Sequence, residues 1–275
     1  MNIPILTFEK VSYKYSDGTV ALKDITLNIE KGKKIALLGN NGAGKSTLFL
    51  LFNGILKATN GQIKYKGNDL SYKRHELRQL RKQVGIVFQN PDAQLFSSSV
   101  HEDIKFGPNN LGLSREEVEQ AVNQAMALTD TESLKDKPPH FLSIGQKKRV
   151  AIAGIVAMNP ELMVLDEPTA GLDPYYARKI MDVLEDVRKK DQTVILSTHD
   201  VNLAFEWADE VILMNNGQIA AKGNPIDVFK NVDVITHCHL EQPWVMEVYE
   251  KFRQTTVSNH TTYPRTKNEL FEIMF

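Results

Sequence analysis

The strongest chemical signal in this 275-residue chain is Gly39-Asn40-Asn41-Gly42-Ala43-Gly44-Lys45-Ser46-Thr47. It fits G-x-x-x-x-G-K-[ST], a loop whose glycines let backbone N–H groups wrap a phosphate. A helix opening behind it adds the positive end of its dipole to the anion site. In such a loop Lys45 reaches the β- and γ-phosphates and the Ser46 hydroxyl ligates Mg²⁺. An ordinary glycine turn ahead of a helix is the alternative. Context decides for nucleotide. Lys34–Leu38 upstream is a short apolar run, as in a strand buried on both faces, and Lys45–Phe52 downstream reads as helix.

A second signal is Leu162-Met163-Val164-Leu165-Asp166-Glu167, an apolar strand that ends in two carboxylates. In a parallel sheet, ligands gather at the carboxyl ends of strands, which places Asp166 beside the phosphate loop. One acid then holds Mg²⁺ while the next polarises the attacking water. Alone, the pair would read as solvated acids starting a turn before Pro168. Ser143 opens the apolar stretch Ser143–Met158, read as a buried helix, so its hydroxyl and the first-turn N–H groups suit a phosphate. Standing alone it would be a plain N-cap.

These residues need a scaffold, and the chain supplies one. Ile5–Tyr15 and Leu22–Ile29 alternate apolar and polar residues around a Ser16-Asp17-Gly18 turn, reading as an antiparallel entry sheet with one wet face. Gln62–Lys66 and Val84–Phe88 read as further strands. Ser114-Arg115-Glu116-Glu117 is a capping box that starts a helix running to about Leu128. After Asn159-Pro160 strands and helices alternate: strand 162–166, helix Tyr175–Lys190, strand Val194–Ser197, helix Val201–Ala208, strand Val211–Met214. Buried strands alternating with amphipathic helices mean an α/β protein with a parallel sheet and a helical insertion near residues 90–160. Residues beyond about Phe229 read as a small helical appendage.

Composition excludes several classes. Thirty-three Lys+Arg against 34 Asp+Glu, net charge -1, gives no basic footprint for nucleic acid. A content of 42% hydrophobic and 24% charged residues is that of a folded globular domain. Met1–Lys10 lacks the pattern of a signal peptide, and apolar runs such as Val150–Met158 fall far short of the ~20 residues that span a bilayer. Cys238 is the only cysteine, so an internal disulfide is excluded and a reducing compartment is expected.

Leu142-Ser143-Ile144-Gly145-Gln146, together with the phosphate loop, the acid strand and Ser197-Thr198-His199-Asp200, resembles the ATP-binding subunits of ABC transporters, with motifs in the family's order over about residues 5–225. The resemblance implies an ATPase with a phosphate-loop parallel-sheet core, an antiparallel β subdomain and an α-helical insertion, spanning 1–230, with an appendage at 231–275. It implies ATP and Mg²⁺ as cofactors, and a second ATPase subunit whose signature helix completes the site. By the same match, Glu167 acts on water and Gln89 touches Mg²⁺ and that water. His199, one of 7 histidines and singled out only by position, contacts the γ-phosphate, and Asp173 crosses between subunits. Ser143, Gly145 and Gln146 face the partner's ATP. Tyr15 stacks on adenine, worth ~1–3 kcal/mol by analogy with base–aromatic stacking. The family has glycine where this chain has Ile144; being β-branched, Ile144 is expected to keep φ below zero, leaving the close approach to Gly145.

Gln89-Asn90-Pro91-Asp92-Ala93-Gln94-Leu95-Phe96, Phe106-Gly107-Pro108 and Lys147–Ala153 look most like the energy-coupling-factor branch, and within it the cobalt or nickel importing ATPases. That implies a transmembrane coupling protein and a membrane protein that captures substrate, with this chain peripheral on the cytoplasmic face and the segment after Gln89 at the groove for the coupling helices. Vitamin import is the alternative within the branch. A soluble ABC ATPase acting on DNA or ribosomes typically carries a coiled-coil insertion or a second cassette, and a nucleotide kinase leaves Ser143–Gln146 and His199 unexplained. His237-Cys238-His239, taken as a strand, would put both imidazoles on one face as metal ligands, although structural sites normally need four.

Overall fold

The computed structural model describes residues 3–188, 192–255 and 262–275. Its main sheet follows from runs with no polar face. β3 (Lys34–Leu38), β6 (Val84–Val87), β7 (Leu162–Leu165), β8 (Thr193–Ser197) and β9 (Glu210–Asn215) pair in parallel, and β10 (Gln218–Gly223) closes one edge as an antiparallel hairpin on β9. The order β10-β9-β3-β8-β7-β6 sets β8 and β7 beside β3. Every residue of β6, β7 and β8 is buried, as strands covered on both faces require.

The entry strands form a separate antiparallel sheet, β2-β1-β4-β5, from β1 (Leu6–Lys14), β2 (Val20–Ile29), β4 (Asn60–Tyr65) and β5 (Asn68–Asp69). Helix α1 (Lys45–Phe52) packs between the two sheets: its Leu48, Phe49, Leu51 and Phe52 share one buried cluster with Leu6 and Phe8 of β1 and Ile35 and Leu37 of β3. α2 (Arg74–Gln83), which the sequence pattern does not assign, buries only Leu80.

The helical insertion consists of α3 (Val100–Leu111), α4 (Arg115–Thr129) and α5 (Ile144–Val156), with a core of its own built on Val100, Ile104, Val118, Val122 and Val150. The capping box expected at Ser114 is formed with Glu117. α6 spans Pro174–Arg188; Lys189 and Lys190, the expected end of this helix, lie outside the described residues. α7 (Val201–Trp207) begins directly after His199, its first N–H groups received by Asp200.

The tail is helical, as expected: α8 (Pro225–Lys230), α9 (Val232–His237), α10 (Trp244–Thr255) and α11 (Lys267–Met274). Ile235, Cys238 and Met246 join the buried cluster that holds Ala36 and Leu196, so this stretch packs on the main core. The strand geometry under which His237 and His239 would share a face is not adopted. His237 ends α9, Cys238 is fully buried and His239 takes a left-handed φ of 54°, so the period-two geometry that would align both imidazoles is absent. Cys238 is drawn inward as a small apolar side chain, which raises its thiol pKa by desolvation.

The appendage grips both ends of α7. Trp244 donates its backbone N–H to Asn202 Oδ1 at 3.0 Å, and the Arg265 guanidinium donates to the carbonyls of Phe205, Glu206 and Ala208 at 2.8, 3.2 and 2.5 Å. A cation on the last carbonyls of a helix satisfies groups that lack intrahelical partners and complements the helix dipole. Arg265→Ala is expected to cost about 1.5–3 kcal/mol, the range for hydrogen bonds to a charged group. The check is a lowered Tm together with faster proteolysis within 240–275; an unchanged Tm and digestion pattern would show the contact to be dispensable.

Candidate active site

The phosphate loop leaves β3 and turns into α1 through conformations that only glycine holds. Gly44, the residue before the helix, has φ 100°, and a Cβ there would sit 2.7 Å from the Ala21 carbonyl; at Gly39 it would sit 2.4 Å from the Met214 carbonyl. Because Gly44 has no side chain, no side-chain cap occupies the helix start, and its amides stay available to an anion. Lys45 is buried, with Nζ donating to the carbonyls of Gly39 at 2.6 Å and Asn40 at 3.3 Å. An ammonium has three N–H groups, so one remains for a phosphate oxygen. Burial pushes the Lys45 pKa down while Glu167 and Asp166 pull it back up. Ser46 is exposed in the first turn. The Tyr15 hydroxyl meets Thr47 Oγ1 at 2.9 Å, which fixes a 37% exposed ring beside the loop.

Next to this loop the ends of β6, β7 and β8 bring four expected residues together. Asp166 accepts the Ser197 hydroxyl at 2.6 Å, and the same Ser197 oxygen receives the Glu167 N–H at 2.9 Å. Glu167 takes a left-handed φ of 48°, an unusual conformation for a residue with a side chain. Its carboxylate accepts from Gln89 Nε2 at 2.9 Å on Oε2 and pairs with His199 Nε2 on Oε1. Glu167, Thr198, His199 and Asp200 line an open cleft of about 230 Å³. Gln89 turns its amide nitrogen to Glu167, leaving its oxygen for another partner. That oxygen, the Ser46 hydroxyl and the Asp166 carboxylate are all oxygen donors, the chemistry that suits Mg²⁺.

The signature segment stands on α5. Ser143 caps the helix in a reciprocal capping box with Gln146 and is exposed. Ile144 occupies the first helical position, 48% exposed, with the ordinary negative φ expected of it. Gly145 packs closely within its own chain: a Cβ there would lie 3.3 Å from Leu172 Cδ2. Asp173 caps α6, accepting the N–H groups of Tyr175 and Tyr176 at 3.0 Å each. Among the described residues, no hydrogen bond joins Ser143, Gly145, Gln146 or Asp173 to the phosphate loop of the same chain.

Two residues of this neighbourhood were not singled out from the sequence. Ser197 is one. The other is Lys148 of α5, 4% exposed, whose Nζ donates to the carbonyls of Glu167 at 2.9 Å and Ala170 at 2.6 Å. Burial lowers the Lys148 pKa, opposed by Glu167 and Asp166. Each stands inside a stretch quoted above, but its own role has no local signal: a serine closing a strand and a lysine within a helix are ordinary until the strand order is known.

A phosphate loop flanked by a carboxylate-tipped strand, a glutamine and a histidine defines a nucleoside-triphosphate-hydrolysing site. The family model for ABC transporters matches residues 22–170. The energy-coupling factor transporter ATP-binding protein EcfA of Methanocaldococcus jannaschii is 52% identical over 246 residues, 90% of this chain and 88% of that one. A putative ABC transporter ATP-binding protein of Methanosarcina mazei is 47% identical over 266 residues, 97% of this chain but 59% of that longer protein. Among solved structures, CbiO1 of Clostridium perfringens, described as part of the ABC transporter complex CbiONQ, superposes with TM-score 0.75 at 46% identity, covering 90% of this chain and 99% of that one. The ATP-binding cassette MJ0796, a dimer in a post-hydrolysis state bound to ADP and Pi, gives TM-score 0.73 at 27% identity, covering 80% and 98%. The chain belongs to the ABC transporter ATPases, among the ATP-binding subunits of energy-coupling factor transporters. Among the described residues no helix is long and apolar enough to cross a membrane.

Removing the Ser197 hydroxyl strands two buried polar groups, Asp166 Oδ1 and the Glu167 N–H. Ser197→Ala is therefore expected to destabilise the fold by ~1–3 kcal/mol in denaturant unfolding. A change below a few tenths would mean that water replaces the hydroxyl at no cost.

Proposed function

We propose that this chain binds Mg-ATP and hydrolyses it to drive import of a transition metal ion, cobalt being the leading candidate, through membrane partners. The observation that carries the hydrolytic part is the Glu167 carboxylate, held by Gln89 and His199 within the same strand-end cluster as the phosphate loop. Glu167 accepts the proton of the attacking water, and Gln89 orients both. The third N–H of Lys45 and the His199 imidazole bear on the γ-phosphate, where fixed donors stabilise developing charge without reorganising. When bound, Mg²⁺ held by Ser46, Asp166 and Gln89 offsets charge on the phosphate oxygens. The backbone N–H groups of the loop from Gly39 through Asn40, Asn41, Gly42 and Ala43 to Thr47 cradle the phosphates, and the Tyr15 ring, steadied by Thr47, stacks on adenine.

Ser143, Gly145, Gln146 and Asp173 act on the nucleotide of a second ATPase subunit. That, among the described residues, no hydrogen bond ties them to their own phosphate loop supports this, as does the exposure of Ser143 and Ile144. ATP then stabilises the closed pair, and hydrolysis removes that bias. The metal-ion reading rests on the likeness of Gln89–Phe96 and Lys147–Ala153 to cobalt and nickel importing ATPases. The exposed Phe96 and Phe106 rings, edge-to-face at 4.9 Å, offer the transmembrane coupling protein an apolar contact.

Glu167→Gln is expected to bind ATP as the parent does while losing ~10²-fold or more in kcat, the usual cost of removing one preorganised catalytic group. Parent-like turnover would remove Glu167 from the mechanism. For the cargo, co-expression with the neighbouring membrane subunits should produce ATP-dependent uptake of radiolabelled cobalt that Glu167→Gln abolishes; uptake of a vitamin instead would overturn the metal assignment.

A further inference from the structure

Three consecutive cations on α5 reach three different segments. Lys147 pairs with Asp92, two residues beyond the Gln89–Asn90 corner, at 2.7 Å. Arg149 donates to the carbonyls of Thr129 and Asp130 and to the Asp130 carboxylate at the end of α4. Between them, Lys148 points into the acid strand's exit. It is the most buried of the three and forms no ion pair among the described residues; both its acceptors are backbone carbonyls. Burying an ammonium on neutral acceptors is expensive, and an apolar side chain of similar length would fill the same space at lower cost. Its stabilising value therefore lies in what it holds.

What it holds is the backbone of Glu167. The Glu167 peptide is clamped on both sides, its N–H by Ser197 Oγ and its carbonyl by Lys148 Nζ, around a φ of 48°. The same carbonyl closes the turn to Ala170, whose own carbonyl takes the second Lys148 bond, and this turn leads to Leu172 beneath Gly145. A left-handed residue with a side chain persists only where the surroundings over-determine it. Without the ammonium, the turn would lose the tie that binds it to the helix starting at Ser143.

We propose that Lys148 is a positioning residue for ATP hydrolysis, fixing the Glu167 carboxylate through its carbonyl and binding the Glu167–Ala170 turn to the signature helix. The movement of that helix when Ser143 meets a partner's nucleotide is thereby transmitted to the water-activating group of the same chain. The inference rests on the assignment of Glu167 made above.

The test is steady-state ATPase kinetics on the assembled transporter with Lys148→Met, which keeps length and removes the donors, and Lys148→Arg, which restores them. The expected result is a kcat lower by about tenfold or more in Lys148→Met with KM for ATP within about twofold, since misplacing a reacting group by about 1 Å costs up to ~10²-fold. Lys148→Arg should recover part of that loss, and backbone amides of 167–172 should exchange faster in Lys148→Met alone. A folded Lys148→Met with kcat within about twofold of the parent overturns the proposal, as does an Arg variant no better than Met. Should Lys148→Met fail to fold, Lys148→Gln replaces it, read by the same kcat and KM criteria. Glu167→Gln measured alongside separates the failures. If it turns over normally, the Glu167 assignment falls and the proposal with it; if it is inactive while Lys148→Met is normal, only the proposal falls.

Discussion

Two carboxylates stand side by side at the end of a buried strand, and most of the site is arranged to make that tolerable. A buried acid without partners is strongly unfavourable. Here the neighbouring strand ends contribute them: Ser197 of β8 donates to Asp166, while Gln89 just after β6 and His199 after β8 meet Glu167; Lys148 of α5 holds the Glu167 backbone carbonyl, and both acids oppose the burial that lowers the Lys45 pKa. In the proposed mechanism two of these partners, Gln89 and His199, also serve the triphosphate and the attacking water. Satisfying the carboxylates and assembling a phosphate-cleaving site are therefore one structural problem.

The sheet solves it through strand order. Since β6, β7, β8 and β3 run parallel and adjacent, their carboxyl ends deliver Gln89, the acid pair, His199 and the phosphate loop to a single edge. Parallel neighbours require covered crossovers, and the covering helices carry the second tier of control. α5 fastens to three segments through Lys147, Lys148 and Arg149 while its first turn stays exposed. α7 starts two residues after His199 and is held at both ends by the appendage. Residues around the active edge thus connect to the helical layer on one side and to the chain's last helices on the other.

Much of this was legible in the sequence because it is written locally. Glycine spacing marks the phosphate loop, unbroken apolar runs mark the buried strands, and Ser-x-x-Glu at 114 and Ser-x-x-Gln at 143 mark helix starts that form as read. Ile144 could be placed because a helix's first position asks nothing unusual of a β-branched residue. What was not legible depends on contacts between distant segments: Ser197 meets Asp166 across 31 positions, Lys148 meets Glu167 across 19, and Arg265 meets Phe205 across 60. α2 escaped notice because it buries a single leucine, and β10 because its pattern never closes to a buried face. The His237–His239 stretch looks like an alternating strand because two polar residues flank a cysteine, whereas Cys238 is the residue that packs.

The central claim is that a nucleotide cradled by one ATPase subunit is sealed by the helix start of the other. It is tested most directly by a structure of the assembled transporter with a non-hydrolysable ATP analogue and Mg²⁺. The expected result has the Ser143 hydroxyl of this chain hydrogen-bonded to the γ-phosphate held by its partner, while this chain's own nucleotide lies on Lys45 with His199 turned to its γ-phosphate. A triphosphate enclosed by one subunit alone, with Ser143 facing solvent, would contradict it.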